Sequence, residues 1–150
     1  MGRTFRITER VRWADVDLVG IMRFSAFTRL VELAEQELMR EAGLPFNEIF
    51  ESPEMWLPRR QLTVDYFAPA RIDEPLELQA FVSRMGETSM VYQVDTRNEK
   101  GTLIAAASLV VVCVTVENFS KRPLPESFRK KLQPYVISIE DARAAYSSVR

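Results

Sequence analysis

Histidine is absent from all 150 residues. That one absence removes Ser-His-Asp and Cys-His nucleophile systems, HExxH zinc sites and imidazole general bases together. Any chemistry falls to carboxylates, hydroxyls, amines or backbone dipoles. Cysteine is almost as scarce: Cys113 stands alone and has no partner for an internal disulfide. No uncharged apolar run reaches the roughly 18 residues of a membrane span. The opening "MGRTFRITER" is charged and lacks the apolar stretch of a signal peptide. Together these point to a cytoplasmic protein without membrane insertion. Neither sign of charge is in excess. The net charge is −1, so no overall field gathers nucleic acid or lipid headgroups, and an anionic ligand must be held by local groups. No metal site and no cofactor are expected.

What is present is ordinary globular material, with 47% hydrophobic and 27% charged residues. The length suits a single domain over residues 1–150. Alternation of Phe5, Ile7 and Val11 predicts a first strand over residues 4–13. A loop follows, "ADVDLVGIMRF". Phe27, Leu30, Val31, Ala34, Leu38 and Ala42 then recur at helical spacing, while Glu32, Glu35, Gln36, Arg40 and Glu41 fall mostly on other faces. With Ser25 as N-cap and Gly43 as a left-handed stop, this predicts one helix over residues 25–42. "PFNEIFESPE" reads as a loop with at most a short helical turn. Period-two patterning resumes in "WLPRRQLTVDYF", "LELQAFVSRM" and "SMVYQVDTRN". "TLIAAASLVVVCVTV" is apolar and β-branched enough for a central strand covered on both faces. "ESFRKKLQ" predicts a short final helix. Four strands joined by short turns make an antiparallel sheet, and the long helix must bury its apolar stripe against it. The expected class is α+β, with about five strands curved around one central helix.

"RWADVDLVGIMRFSAFTRLVELAEQELMREAGL" places Asp15 and Asp17 beside Gly20, just ahead of that helix. Aspartates in such positions are commonly caps or solvated loop residues. "DVDLVGIM", "LTVDYFAPARIDEPLEL", "GETSMVYQV" and "LVVVCVTVENFSKRPLP" occur in this order with matching spacing. In these blocks the chain resembles the 4-hydroxybenzoyl-CoA thioesterase family of hotdog-fold proteins, nearest to the Tol–Pal-associated acyl-CoA thioesterase branch. The likeness covers roughly residues 5–128. It implies hydrolysis of an acyl-CoA thioester by a homodimer, often paired again into a homotetramer, with sites at the dimer interface. It also implies that Asp17 is the catalytic aspartate and Gly20 the family glycine. Relatives carry tyrosine and histidine where this chain has Arg23 and Phe24, and often a glycine where it has Val19.

On that resemblance the chemistry can be assigned without histidine. Asp17 serves as general base for water or as nucleophile. The helix start around Arg23, Phe24 and Ser25 offers unpaired backbone N–H groups to a developing oxyanion. Gly20 lets the loop pass close to the thioester. Arg23 can meet an acyl head or a phosphate, or pair with Asp15, which is expected to be structural. Arg59, Arg60, Arg71, Lys121 and Arg122 are candidates for the coenzyme A phosphates, against a background of ordinary surface charge. Cys113, inside "LVVVCVTV", is expected to be an inert core thiol. Two alternatives stay open: a thioesterase for acyl groups on acyl-carrier protein, and a non-catalytic acyl-CoA-binding protein.

Overall fold

The alternating and helical patterns resolve into one sheet and one long helix in the computed structural model, which describes residues 2–51 and 55–149. The strands are β1 (Phe5–Arg10), β2 (Arg59–Tyr66), β3 (Pro75–Met85), β4 (Ser89–Asn98) and β5 (Leu103–Val112). The helices are α1 (Phe27–Glu41), α2 (Phe46–Glu51), α3 (Glu126–Leu132) and α4 (Ile139–Val149). All strand pairs are antiparallel, in the order β1-β3-β4-β5-β2. The class is α+β, and the sheet curves around α1 in the hotdog arrangement. The reading of β2 to β5 as successive short-turn neighbours holds only from β3 onward. β2 pairs with β5 at the far edge, because β1 takes the place beside β3.

Apolar spacing explains why α1 sits where it does. Leu30, Ala34 and Leu38 are fully buried on one stripe, facing alternate residues of the sheet such as Leu78, Tyr92 and Val94. Gly43 ends the helix at φ +82°, a conformation that a Cβ would strain. The start differs from expectation. Residues Phe24–Ala26 form a 3-10 turn before α1, and Ser25 makes no capping bond. Arg23 stands in the extended N-cap conformation instead, tied by its N–H to the Asp15 carbonyl at 2.8 Å. The β4–β5 turn matches expectation: Gly101 adopts φ +82°, and the Asn98 side chain accepts from the Lys100 and Thr102 amides.

The "PFNEIFESPE" loop contains a full helix, α2, while its residues 52–54 lie outside the described part. A final helix beyond α3 was not expected. α4 covers the sheet face opposite α1, where the buried Asp95 accepts from Arg143 at 3.0 and 3.2 Å and from Gln93 at 3.0 Å. Tyr146 stacks over the Arg97 guanidinium at 3.8 Å.

The loop that carries Asp17 is anchored by ionic contacts. Asp15 is 3% exposed and receives a two-pronged bond from Arg29 of α1, at 2.9 and 2.5 Å. The Arg12 amide donates to the same carboxylate at 2.8 Å. A third Arg29 nitrogen reaches Glu9 of β1 at 2.6 Å. Burial alone pushes both carboxyls up. Bonds from the Arg10 amide, Arg29 and Arg12 outweigh it at Glu9, which is held at about 2. Arg29 and the Arg12 amide likewise hold Asp15 below the usual carboxylate range. Both folded-state values lie below the unfolded ones, so this stability is fully present above the unfolded values and is lost on acidification. Replacing Arg29 by methionine is expected to cost about 2 kcal/mol at neutral pH, allowing for the partial solvent exposure of the guanidinium. Wild-type stability should fall between pH 4.5 and about 2, as Glu9 protonates. Arg29→Met should flatten that fall. Urea unfolding across this range checks both, and an equally steep acid loss in the variant contradicts the assignment.

Candidate functional site

Asp17 lies in the loop between the 3-10 turn Trp13–Asp15 and the helical start. Its side chain is exposed, and Oδ1 accepts from the Val19 N–H at 2.9 Å and the Ile21 N–H at 3.3 Å. These bonds make a local turn that fixes the carboxylate's orientation. Gly20 closes the turn at φ +78°, and a Cβ there would meet nothing within 4 Å. The requirement for glycine is therefore conformational, not a matter of crowding within one chain. The Gly20 carbonyl accepts from the Ile72 N–H at 3.1 Å, which docks the loop on the segment after β2.

The helical start is adjacent through Arg23, whose N–H is held by Asp15. Its guanidinium donates to the Ala14 carbonyl at 2.7 Å. Of the possibilities open to Arg23, pairing with the Asp15 carboxylate does not form, because Arg29 occupies it. Ala26 N–H to the Arg23 carbonyl, at 3.0 Å, is the first bond of the helical run. The Phe24 and Ser25 amides precede it, at the positive end of the peptide dipoles. Phe24 is 76% exposed, and its carbonyl accepts from the Tyr66 hydroxyl at 2.9 Å. Tyr66 also meets the Phe27 ring edge-on at 5.3 Å. The last residue of β2 is thus fixed to the start of α1, and β2 runs back along the helix.

Between α1 and β2 lies a groove of about 390 Å³, with Thr28, Val31 and Glu32 on the helix side and Arg59, Arg60 and Leu62 on the strand side. Beyond Arg59 is a second cavity of about 390 Å³, walled by Met39, Met55, Trp56, Tyr92 and Phe119. Glu35 projects into it. This residue, read from spacing as lying off the apolar stripe, is 2% exposed and hydrogen-bonded to Arg59. Burial pushes its carboxyl up, opposed by the Arg59 charge. The signal was in the sequence: position 35 follows Val31 by four and precedes Leu38 and Met39 by three and four, which puts it on the buried side. Burial pushes the Tyr92 hydroxyl up as well, and it donates to the Met39 sulfur at 3.0 Å.

The five cations proposed for phosphate separate into two places. Arg71 sits beside the Asp17 loop, in a bridge with Ile21. Arg59 and Arg60 open β2 at its other end, about 23 Å from Tyr66 at the rise of an extended strand. Lys121 lies at that same end, bridged to Val114 next to Trp56. The neighbouring Arg122 donates its N–H to the Cys113 carbonyl at 3.0 Å. Arg59 is committed to Glu35; Arg60 and Lys121 are exposed. Cys113 is fully buried against Met55, and burial pushes its thiol up, in keeping with an inert core position. Among the described residues no group of His, Cys, Asp or Glu side chains could hold a metal ion, and no helix is long and apolar enough to cross a membrane.

Comparison with known proteins places this geometry. The family model described as thioesterase-like superfamily matches residues 11–132. An acyl-CoA thioester hydrolase of Escherichia coli O6:H1, YbgC, is 32% identical over 123 residues, spanning 82% of this chain and 91% of the relative. The 1,4-dihydroxy-2-naphthoyl-CoA hydrolase of Acaryochloris marina is 24% identical over 134 residues, 88% of this chain and 98% of the relative. Among solved structures, the Synechocystis 1,4-dihydroxy-2-naphthoyl-CoA thioesterase Slr0204 superposes with a TM-score of 0.81 at 23% identity, covering 87% of this chain and 96% of that one. The BH1999 gentisyl-coenzyme A thioesterase gives 0.76 at 20% identity, covering 85% and 99%. The matched span runs from the end of β1 through α3, taking in the Asp17 loop, α1 and β2 to β5, and on it the chain belongs to the thioesterase-like superfamily.

Proposed function

We propose that the protein hydrolyses acyl-CoA thioesters to free acid and coenzyme A, and that Asp17 is the catalytic carboxylate. One observation carries this reading: an exposed carboxylate, oriented by two amides of its own loop, stands beside a helical start with unpaired leading N–H groups. The names of the relatives support the substrate class. In the reaction, the Phe24 and Ser25 amides polarise the thioester carbonyl and receive the oxyanion. One such donor is typically worth ~10²–10³ in rate. Asp17 either takes the proton from an attacking water or adds to the carbonyl carbon itself; the thiolate of coenzyme A then leaves and is protonated, and on the second route water hydrolyses the resulting mixed anhydride, releasing the acid and freeing Asp17. Neither route needs imidazole.

The site is completed by a second copy of the chain. β2 is an edge strand, exposed along nearly its whole length and carrying Leu62 and Tyr66 at 41% and 49% exposure. Such an edge is a template for strand pairing. Antiparallel pairing of two β2 edges about a two-fold axis near Leu62 sets Arg59 of one protomer opposite Tyr66 of the other. It brings the Arg59–Arg60 cations to the Asp17 end, which they do not reach within one chain. Any further pairing into a homotetramer must use a surface other than the sheet face that α4 covers.

Thiol release from a panel of short, long and aromatic acyl-CoAs tests the activity. Asp17→Asn should lower kcat by ~10²–10⁴, the range for a lost acid–base group; equal activity in variant and wild type removes Asp17 from the mechanism. Cleavage of carrier-protein-bound acyl groups alone would move the substrate to acyl-carrier protein, and tight binding without release from either would make this a binding protein. For the assembly, Leu62→Asp should give a monomer by sedimentation and lose most of the activity, because the aspartates meet across the two-fold axis. A monomeric wild type overturns the pairing.

A further inference from the structure

The Tyr66 hydroxyl crosses from the end of β2 to the start of α1 and donates to the Phe24 carbonyl at 2.9 Å. Its aim is fixed by the ring, which meets Phe27 edge-on at an interplanar angle of 78°. That carbonyl does not need Tyr66 to be satisfied. The orphan groups at a helical start are N–H groups, and leading carbonyls find N–H partners further along the turn. Ring packing does not need the hydroxyl, since a phenylalanine ring would meet Phe27 in the same way. The bond is surplus to both needs.

Its effect falls on the other end of the same peptide unit. The Phe24 carbonyl and the Ser25 N–H share one planar, trans unit, so the N–H points away from the oxygen that Tyr66 holds. A rotation that turned the N–H aside would carry the carbonyl off the Tyr66 hydroxyl. An accepted hydrogen bond also draws electron density toward the carbonyl oxygen and leaves the N–H more positive, a strengthening of about 10–30% per bond. Among the described residues nothing accepts from the Ser25 N–H, so the strengthened donor is open to a ligand. The preceding unit is backed in the same way: the Arg23 carbonyl accepts from the Ala26 N–H at 3.0 Å, behind the Phe24 N–H. Both leading N–H groups thus have a donor behind them, and the second owes it to a side chain from another element.

We propose that Tyr66 is a positioning residue, which aims and polarises the Ser25 N–H as an oxyanion donor. This rests on the thioesterase reading for what the donor serves, so the test reads the donor apart from turnover. The probes are ketone analogues of acyl-CoA, one aryl and one linear, with a methylene in place of the sulfur and carbon-13 at the carbonyl. They keep the carbonyl and cannot be hydrolysed. Isotope-edited infrared spectroscopy of the bound analogue reads the carbonyl stretch, which falls in frequency as hydrogen bonds to its oxygen strengthen. Tyr66→Phe should raise that frequency above the wild-type value with at least one analogue. On thioesters its kcat should fall roughly two- to eightfold, the effect of a 10–30% weaker donor, with KM little changed. Fluorotyrosine in place of Tyr66 keeps the ring and makes the hydroxyl a stronger donor. It should move the frequency and kcat the opposite way, a graded response that a residue serving only to pack would not give, and it keeps the test decisive if Tyr66→Phe does not fold. An unchanged frequency in the folded variants, a shift in the reverse order, or no measurable binding of either analogue overturns the proposal. Thioester release is scored separately: release at equal kcat in wild type and Tyr66→Phe defeats this inference alone, and ordered frequencies without release from any thioester defeat the activity alone.

Discussion

Arg29 joins three parts of the chain that are distant in sequence, and the loop geometry depends on it. Its guanidinium spans Asp15 in the loop and Glu9 at the end of β1, while its backbone belongs to the first turn of α1. The planar fork suits this role, since one side chain can present parallel donors to one carboxylate and a third donor to another. With Asp15 held, its carbonyl receives the Arg23 amide, and that bond fixes where the helical segment begins. The position of the Phe24 and Ser25 amides relative to Asp17 is therefore set two residues away from Asp17 itself. Asp17 makes no ion pair in the process, so its carboxylate stays available.

The sheet divides its two faces between different tasks. The concave face receives the apolar stripe of α1 and is closed by hydrophobic contact, which is non-directional and tolerant of small displacements. The opposite face of β3 and β4 carries Gln79, Gln93, Asp95 and Arg97, all buried, and is closed by hydrogen bonds and stacking from α4. Polar closure of this kind demands one docking geometry, because each buried group must find its partner. α4 lies beyond the span that the family model matches. The helix thus docks on the sheet face away from α1 and leaves β2 open, the edge where pairing is proposed.

What could be read from the sequence follows the kind of force involved. Strands β3 to β5, the body of α1 and the Gly43 stop were legible because burial repeats at a fixed period and positive φ favours glycine. The inert cysteine was legible from its apolar neighbours. The place of β2 was not, because pairing partners in a sheet are chosen by topology, and period-two alternation looks the same at either edge. α4 was missed although a local signal existed: Ser138 caps the Asp141 amide at 3.0 Å, in a Ser-x-x-Asp spacing ahead of an alanine-rich turn. Ser25 suits a cap by residue type, whereas the Arg23–Asp15 backbone bond decides the start. At Glu35 the charged residue type points to the surface while the helical spacing points inside, and the spacing prevails because Arg59 supplies a partner.

Asp17 and Glu35 are carboxylates separated by their surroundings. One is exposed on a loop, oriented by amides, and open to a reacting group from solvent or from a second subunit. The other is enclosed, with a cation beside it, and can act only on a group that has already entered the groove. Hydrolysis needs a carboxylate that water and a reacting carbon can both reach, and Glu35, almost wholly enclosed, is far less open to that approach than Asp17. Recognition needs a group that holds still while a ligand is tested against it, and a loop carboxylate in water discriminates poorly because solvent competes for every bond. The two carboxylates thus sit in opposite surroundings, and α1 connects them: its leading turn is tied to the Asp15–Asp17 loop, and its third turn carries Glu35 to Arg59.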